Sequence, residues 1–183
     1  MLILTKEQLI QEINQRFSPK YVFFWGHQPP KNQAVSKSCF SQWFASPFTV
    51  DDVTYPTAEH YMMAQKARLF NDSQTLIKIL HSTHPGEAKR LGREILHFDE
   101  VLWGKNRFDI AYQGNLAKFT QHRALGEFLV NTHDRVLVEA SPVDSIWGIG
   151  LDEAHPSCTN PALWPGLNLL GFVLMKVRAH LKG

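Results

Sequence analysis

The chain has 183 residues, 44% of them hydrophobic and 20% charged, a balance that suits one soluble globular domain. No apolar run nears the ~20 residues of a membrane span, and a domain of this size buries about 70% of the surface its unfolded chain exposes, so it needs no staples. The net charge of +2 is too small to mark a nucleic-acid footprint by itself.

Met1-Leu2-Ile3-Leu4 is too short, and too soon followed by Lys6 and Glu7, to serve as a signal peptide, so a cytoplasmic address is expected. Thr5-Lys6-Glu7-Gln8 has the form of a capping box, and Leu9, Ile10 and Ile13 continue one apolar stripe to about Gln15. Residues 1–20 thus read as a helical extension, with the main domain over 21–183. Tyr21 to Trp25, aromatic and β-branched and stopped by Gly26, reads as a buried strand in which Phe24 and Trp25 serve the core. Gln28 to Ser38 is a loop carrying Lys31 and Lys37. Phe40 to Phe44 reads as a strand, and Pro47 to Tyr55 as a hairpin around Asp51-Asp52. Cys39 and Cys158, far apart and without metal spacing, read as reduced thiols.

Pro56 pushes Tyr55 towards an extended conformation, and Thr57 can accept from the first free helical N–H groups, so a helix starts at Thr57. At about 100° per residue, Glu59 and Lys66 return to nearly the same azimuth, with Met62 and Met63 between them. That face admits two readings: a solvated ion pair, or an acid and an amine in one pocket. Asn71 and Asp72 cap a further helix to about His81. Pro85 opens another, with Ala88, Leu91, Ile95 and Leu96 on its apolar side and Lys89, Arg90 and Arg93 as phosphate candidates or a solvated face. Asp99 to Gln121 suits one long helix or two with a break near Gly104, beside Trp103. A short helix around Leu125 to Val130 precedes the strand Val136 to Val138. Asp144, between that strand and Trp147-Gly148, has the look of a site edge. Leu151 to Pro165 is a long loop, and Gly166 to Leu181 an apolar closing helix. The class is α+β: a mostly helical single domain around a small β-sheet.

Phosphate-loop, dinucleotide and His-Glu-x-x-His motifs are absent from the sequence. His81 and His84 with His97 or His155 do not make a matching ligand cluster, so neither metal nor cofactor is expected.

Nearly the whole chain from Tyr21 to His180 resembles the NADAR family, which includes the YbiA-type N-glycosidases. The resemblance is carried jointly by Phe40-Ser41-Gln42-Trp43, Tyr55 to Tyr61 with Gln65-Lys66, Leu91-Gly92-Arg93, Trp103 with Arg107, Lys118-Phe119, Leu137-Val138-Glu139, Asp144 to Gly150 and Asn168 to Gly171. It implies a mostly helical α+β fold and cleavage of N-glycosidic bonds, in ribosylamino-pyrimidine phosphates of the riboflavin pathway or in ADP-ribosylated guanine of nucleic acid. Glu59, Trp103 and Asp144 match the family's proposed catalytic set, and Lys66 matches a lysine for which a covalent sugar adduct has been proposed. Arg93, Arg107, Trp147, Gly148 and Asn168 then become substrate-binding candidates. The sequence departs from the family pattern at Gln42, Trp43, His122 and His133, positions that bear on substrate preference and leave the proposed catalytic groups in place.

The chemistry asks for such a set. Breaking a C1–N bond develops oxocarbenium character that a carboxylate, Glu59 or Asp144, can stabilise or relieve by activating water. Trp103 offers a plane for the base, Arg93 a partner for phosphate, and Lys66 either a cation or an amine that attacks C1. Lys31, Lys37, Lys105 and Arg107 are candidates to follow a nucleic-acid strand. The expected partner is the ribosylated small molecule or nucleic acid alone, with the chain assumed monomeric. The alternative is a module that binds ADP-ribose or a nucleotide without cleaving it.

Overall fold

The computed structural model describes residues 2–33 and 35–183; Met1 of the leading apolar run and Ala34 of the expected 28–38 loop lie outside them. In chain order the elements are α1 (Lys6–Asn14), β1 (Tyr21–Phe24), β2 (Phe48–Val50), β3 (Val53–Tyr55), α2 (Ala58–Leu69), α3 (Ser73–His81), α4 (Pro85–Arg93), α5 (Glu100–Gln121), α6 (Arg123–Val130), β4 (Val136–Glu139) and α7 (Leu169–Leu181). They are the helix-dominated α+β mixture that the sequence pattern predicts. Two compact units divide them, one of residues 1–41 with 123–183 and one of residues 42–122. Among the described residues no helix is long and apolar enough to cross a membrane.

In the first unit β1 and β4 pair in parallel, from Tyr21 with Val136 to Phe24 with Glu139. Parallel strands need a crossover, and here the second unit lies between them in sequence. Helix α7 packs on β4 through a stripe that includes Leu170, Val173, Leu174 and Val177, all fully buried. Arg178 ties the same helix to the turn before β4: its Nη1 donates to Thr132 Oγ1 at 2.7 Å and to the Arg135 carbonyl at 2.8 Å. In that turn His133 takes φ 55°, the left-handed region that glycine enters most easily. Helix α1 is capped by Thr5, whose side chain accepts from the Gln8 N–H, buries Leu9, and reaches Trp164 through a Lys6 Nζ bond to its carbonyl at 3.2 Å.

In the second unit α2 is the axis, packed against α3, α4 and α5. Every residue from Ala58 to Ala64 is buried, so α2 has no solvated stripe to separate from an apolar one. Close approach is bought with glycine. A Cβ on Gly92 of α4 would stand 2.0 Å from Met63 Sδ, and one on Gly114 of α5 would stand 2.5 Å from the Tyr61 ring. The β2–β3 hairpin turns at Asp51 and Asp52, both at positive φ (50° and 61°), as a two-residue primed turn requires. Tyr55 at its end meets Tyr61 edge-on at 5.1 Å, which sets the start of α2 against the hairpin.

Several expectations are corrected. Phe40 to Phe44 is not a strand; Ser36 caps a 3-10 turn over Lys37–Phe40 by accepting from the Ser38 N–H, and its hydroxyl also bonds that of Ser38, a local closure that outweighs the aromatic content. Of the two readings of Asp99 to Gln121, the single long helix holds: α5 runs unbroken through Gly104, where the surroundings are open and nothing crowds the backbone. Helix α4 stops at Arg93, so Ile95 and Leu96 fall in a turn, and Leu96 is exposed rather than core. Trp25 lies beyond the end of β1 and is exposed, whereas Phe24 is core as expected. The closing helix begins at Leu169, not Gly166.

Candidate active site

Lys66 lies on α2 with its amine turned inward. Nζ donates to the Gly92 carbonyl at 2.7 Å and stands over two rings, 4.4 Å from the Phe98 centroid and 5.5 Å from that of Trp103. Gly92 is the residue whose missing Cβ lets α4 approach α2, so the packing that admits Met63 also presents the carbonyl to the amine. Partial burial pushes the Lys66 amine below its ordinary range; the neighbouring Arg93 charge lowers it further, and Glu59 opposes both. This is the environment that turns an ammonium towards a neutral, nucleophilic amine.

Glu59 is only 4% exposed, in the first turn of the same helix. Its N–H donates to the Gln42 carbonyl at 3.0 Å, and the Gln42 side chain accepts from Asn115 Nδ2 at 2.8 Å, so α5 and the segment before the hairpin both fix the N-terminus of α2. Thr57 closes that terminus by accepting from the His60 N–H, and its hydroxyl shares a 2.8 Å hydrogen bond with His60 Nδ1. A solvated Glu59–Lys66 ion pair is therefore the wrong picture: the acid is buried and the amine faces aromatic rings.

Trp103 occupies the first full turn of α5 and is 9% exposed. Asp99 caps that helix through a 2.8 Å bond from the Leu102 N–H. Phe98 stands immediately before the cap and Trp103 four residues into the helix, the two positions of a hydrophobic staple. The sequence reading passed over Phe98; an aromatic residue just before a capping aspartate, with tryptophan at the matching helical position, was the available signal. Arg93 ends α4, exposed, and acts on Lys66 through its charge. Arg107, one turn beyond Trp103, is half-buried, and no hydrogen bond or ion pair among the described residues engages it.

The other predicted residues gather in the first unit. After β4, Asp144 Oδ1 accepts from the Ile146 N–H at 2.9 Å and the Trp147 N–H at 2.8 Å, an aspartate-closed turn that fixes its carboxylate. Gly148 lies where a Cβ would meet the carbonyl oxygens of Glu139 at 2.8 Å and Asp144 at 3.0 Å, so only glycine fits the fold-back. Asn168, predicted as a helical residue, takes the left-handed conformation (φ 56°) that asparagine tolerates. Its Nδ2 donates to the Leu137 carbonyl at 2.9 Å and its Oδ1 accepts from the Glu139 N–H at 3.0 Å, while its own N–H donates to the Gly148 carbonyl at 3.0 Å. Asp144, Trp147, Gly148 and Asn168 are thus one braced turn, and Glu59, Lys66, Arg93 and Trp103 with Phe98 are one helical cluster.

Two residues with a candidate binding role are otherwise engaged. Lys37 pairs with Glu153 at 3.2 Å. His84 caps α4 by accepting from the Gly86 N–H.

A family model described as the NADAR domain matches residues 23–182. The chain belongs to the NADAR domain family. This NADAR chain is 44% identical over 164 residues to an N-glycosidase of Acanthamoeba polyphaga mimivirus, covering 87% of this chain and 95% of that protein. It is 34% identical over 142 residues to the N-glycosidase YbiA of Escherichia coli, covering 78% and 80% of the two chains. The NMR structure of the E. coli protein YbiA superposes on the NADAR fold with a TM-score of 0.71 at 28% identity, over 91% of this chain and 87% of that one.

Proposed function

We propose that this chain is an N-glycosidase that cleaves the bond between C1 of a ribose or phosphoribose and a heterocyclic base, with Lys66 as the nucleophile. The observation that carries the reading is the state of the Lys66 amine: held by one carbonyl, faced by two rings, and shifted towards its neutral form. The curated relatives bearing the name N-glycosidase support the class of reaction. Either a ribosylamino-pyrimidine phosphate or ADP-ribosylated guanine fits the class; a maize relative named a riboflavin biosynthesis protein, 34% identical over 140 residues, supports testing the former.

In the proposed sequence the Nζ lone pair bonds to C1 as the C1–N pair departs with the base. A carboxylic acid, Glu59 or Asp144, gives that base its proton. The ring then opens: the C1–O bond breaks, the amine's proton passes to the ring oxygen, and an iminium joins Nζ to C1. Water adds to C1, the amine leaves, and free sugar and Lys66 are restored. The Glu59 carboxylate, on the same helix as the amine, also favours the positive charge that develops at C1 as the bond to the base breaks. Arg93 is assigned the phosphate and Arg107 an outer contact of the substrate; in the other unit Trp147 is a substrate contact of its own turn, and the braced Gly148 and Asn168 shape the turn that carries Asp144.

The test is incubation with both substrate types, following base release by mass, with borohydride added to trap the iminium. Release from one substrate, with a sugar-sized mass increase on the peptide holding Lys66, is the expected result. Tight nucleotide binding without release from either would replace the enzyme by a binding module, and release without any trapped adduct would replace the covalent route by direct hydrolysis.

A further inference from the structure

In the first unit a cavity opens at the start of β4, at the opposite end of that strand from the Asp144 turn. Its volume, about 520 Å³, is within the range of pockets that hold small ligands. Leu2, Ile3, Phe17, Val136 and Met175 give it an apolar wall, and the Arg178 side chain lines it with them.

Arg178 is 6% exposed, yet the protein uses only one of its nitrogens. Nη1 spends both hydrogens on Thr132 Oγ1 and the Arg135 carbonyl, which fixes the plane of the guanidinium. Among the described residues Nε and Nη2 bond to no protein atom, and both keep some accessible surface. Since the side chain is otherwise buried and lines the cavity, that surface opens into it. Nε and Nη2 form one edge of the fork, the edge that meets a carboxylate through two parallel hydrogen bonds.

The surroundings favour a single negative charge. Burial pushes the Arg178 guanidinium below its ordinary range, and Asp134 opposes that shift. Asp134 is itself solvated and shared with Lys182, whose Nζ lies 3.5 Å from its Oδ1. Glu12, half-buried, lines the same cavity. Two carboxylates already in the lining stand against a dianion such as phosphate. Water can answer the free donors of Arg178, but it leaves the hydrocarbon wall wet; an anion that carries its own apolar surface satisfies both.

We infer that this cavity is a binding site for a small monocarboxylate with an apolar body, its carboxylate seated on the Nε–Nη2 edge of Arg178 and its hydrocarbon against Phe17, Val136 and Met175. Binding here neither needs the glycosidase reading nor tests it.

The experiment titrates 3-phenylpropanoate, 3-phenylpropanamide, acetate and inorganic phosphate into the full chain and follows the methionine methyl resonances. Met175 reports on the cavity, while Met62 and Met63, buried on α2 in the other unit, serve as controls. A saturable shift at Met175 and not at the controls is expected. The phenyl acid should bind at least ~10-fold more tightly than its amide, which lacks the charge-assisted bonds, and than acetate, which lacks the apolar body. Arg178→Lys keeps the charge and removes the fork, and should weaken the acid ~10-fold. Because Arg178 also holds the turn before β4, a second variant leaves that brace intact: Ala179→Trp, at an exposed position that lines the cavity, should fill it and abolish the shift. No saturable shift at Met175 in wild type, equal binding of acid and amide, phosphate binding as tight as the acid's, or undiminished binding by either variant would each overturn the inference.

Discussion

Lys66 and Asn168 are both polar side chains anchored to backbone carbonyls in mostly apolar surroundings, and they are left in opposite chemical conditions. Asn168 meets one carbonyl with its N–H group and one backbone N–H with its oxygen, so donor and acceptor are each answered by a neutral complement. Lys66 carries a cation into a place that supplies one carbonyl, two rings and a neighbouring arginine, which Glu59 only partly offsets. Complementary bonding makes the first residue a brace; incomplete compensation of charge lowers the proton affinity of the second. The two units therefore handle polar side chains differently, one to fix a turn and one to lower the proton affinity of an amine.

The sharpest break of that contrast is Lys66→Met, which removes the charge and keeps the volume. Base release should fall at least about 1000-fold, on the order of 4 kcal/mol in the barrier, and the borohydride adduct should vanish. Folding should be unharmed, since an apolar side chain of similar size is often neutral or stabilising where a charge was desolvated. Asn168→Ala should show the reverse pattern. It leaves the Leu137 carbonyl and the Glu139 N–H without their partner, and urea unfolding should register a loss of about 2–4 kcal/mol. A stable Asn168→Ala protein would show that the turn is held by Gly148 and the backbone pairs instead.

Gly92→Ala is expected to cost about 1–3 kcal/mol, because its Cβ would enter the space of Met63. Adding Met63→Ala should recover part of that loss, measured as non-additivity in a double-mutant cycle. The smallest effect is one of pH. A lysine shifted down in the folded state binds fewer protons there than in the unfolded chain, so folding stability rises with pH between the folded value and the ordinary 10.5. Wild type should gain on Lys66→Met across that alkaline window, and Arg93→Ala should narrow the gain; parallel stability curves would mean that the amine is hydrated like any surface lysine.

Much of this was legible in the chain itself where the cause is local. Pro56 and Thr57 start α2, and the Asp51-Asp52 pair makes a hairpin turn, because each depends on neighbours in sequence. The shared azimuth of Glu59 and Lys66 brought the site into view for the same reason, although only packing from α3, α4 and α5 decides that this face is interior. The left-handed backbone of Asn168 escaped because the residue stands at the head of an apolar helical run, while its side chain answers to Leu137 and Glu139, some thirty residues earlier. Phe40 to Phe44 misled through aromatic content, where the Ser36 hydroxyl closing on the Ser38 N–H sets a 3-10 turn that runs into Phe40. Phe98 was missed because an exposed aromatic between two helices carries no periodic signal; its meaning comes from Lys66, thirty-two positions away.

Asp72 has a consequence that reaches this ring. Its Oδ1 caps α3 through the Thr75 N–H and its Oδ2 holds the Leu96 N–H, and these bonds pull its carboxyl below the ordinary 3.8. Stability from a depressed carboxyl is present above its unfolded value and is lost as pH falls through the folded one. Protonating Asp72 thus unlatches the 94–99 turn and frays the start of α3 together, while the interior of α2 keeps its packing. The molecule should come apart in acid from the 94–99 turn inwards, as a small cooperative unit opening ahead of the rest. Amide exchange would reveal that order, with Leu96 losing protection at a higher pH than Ala64.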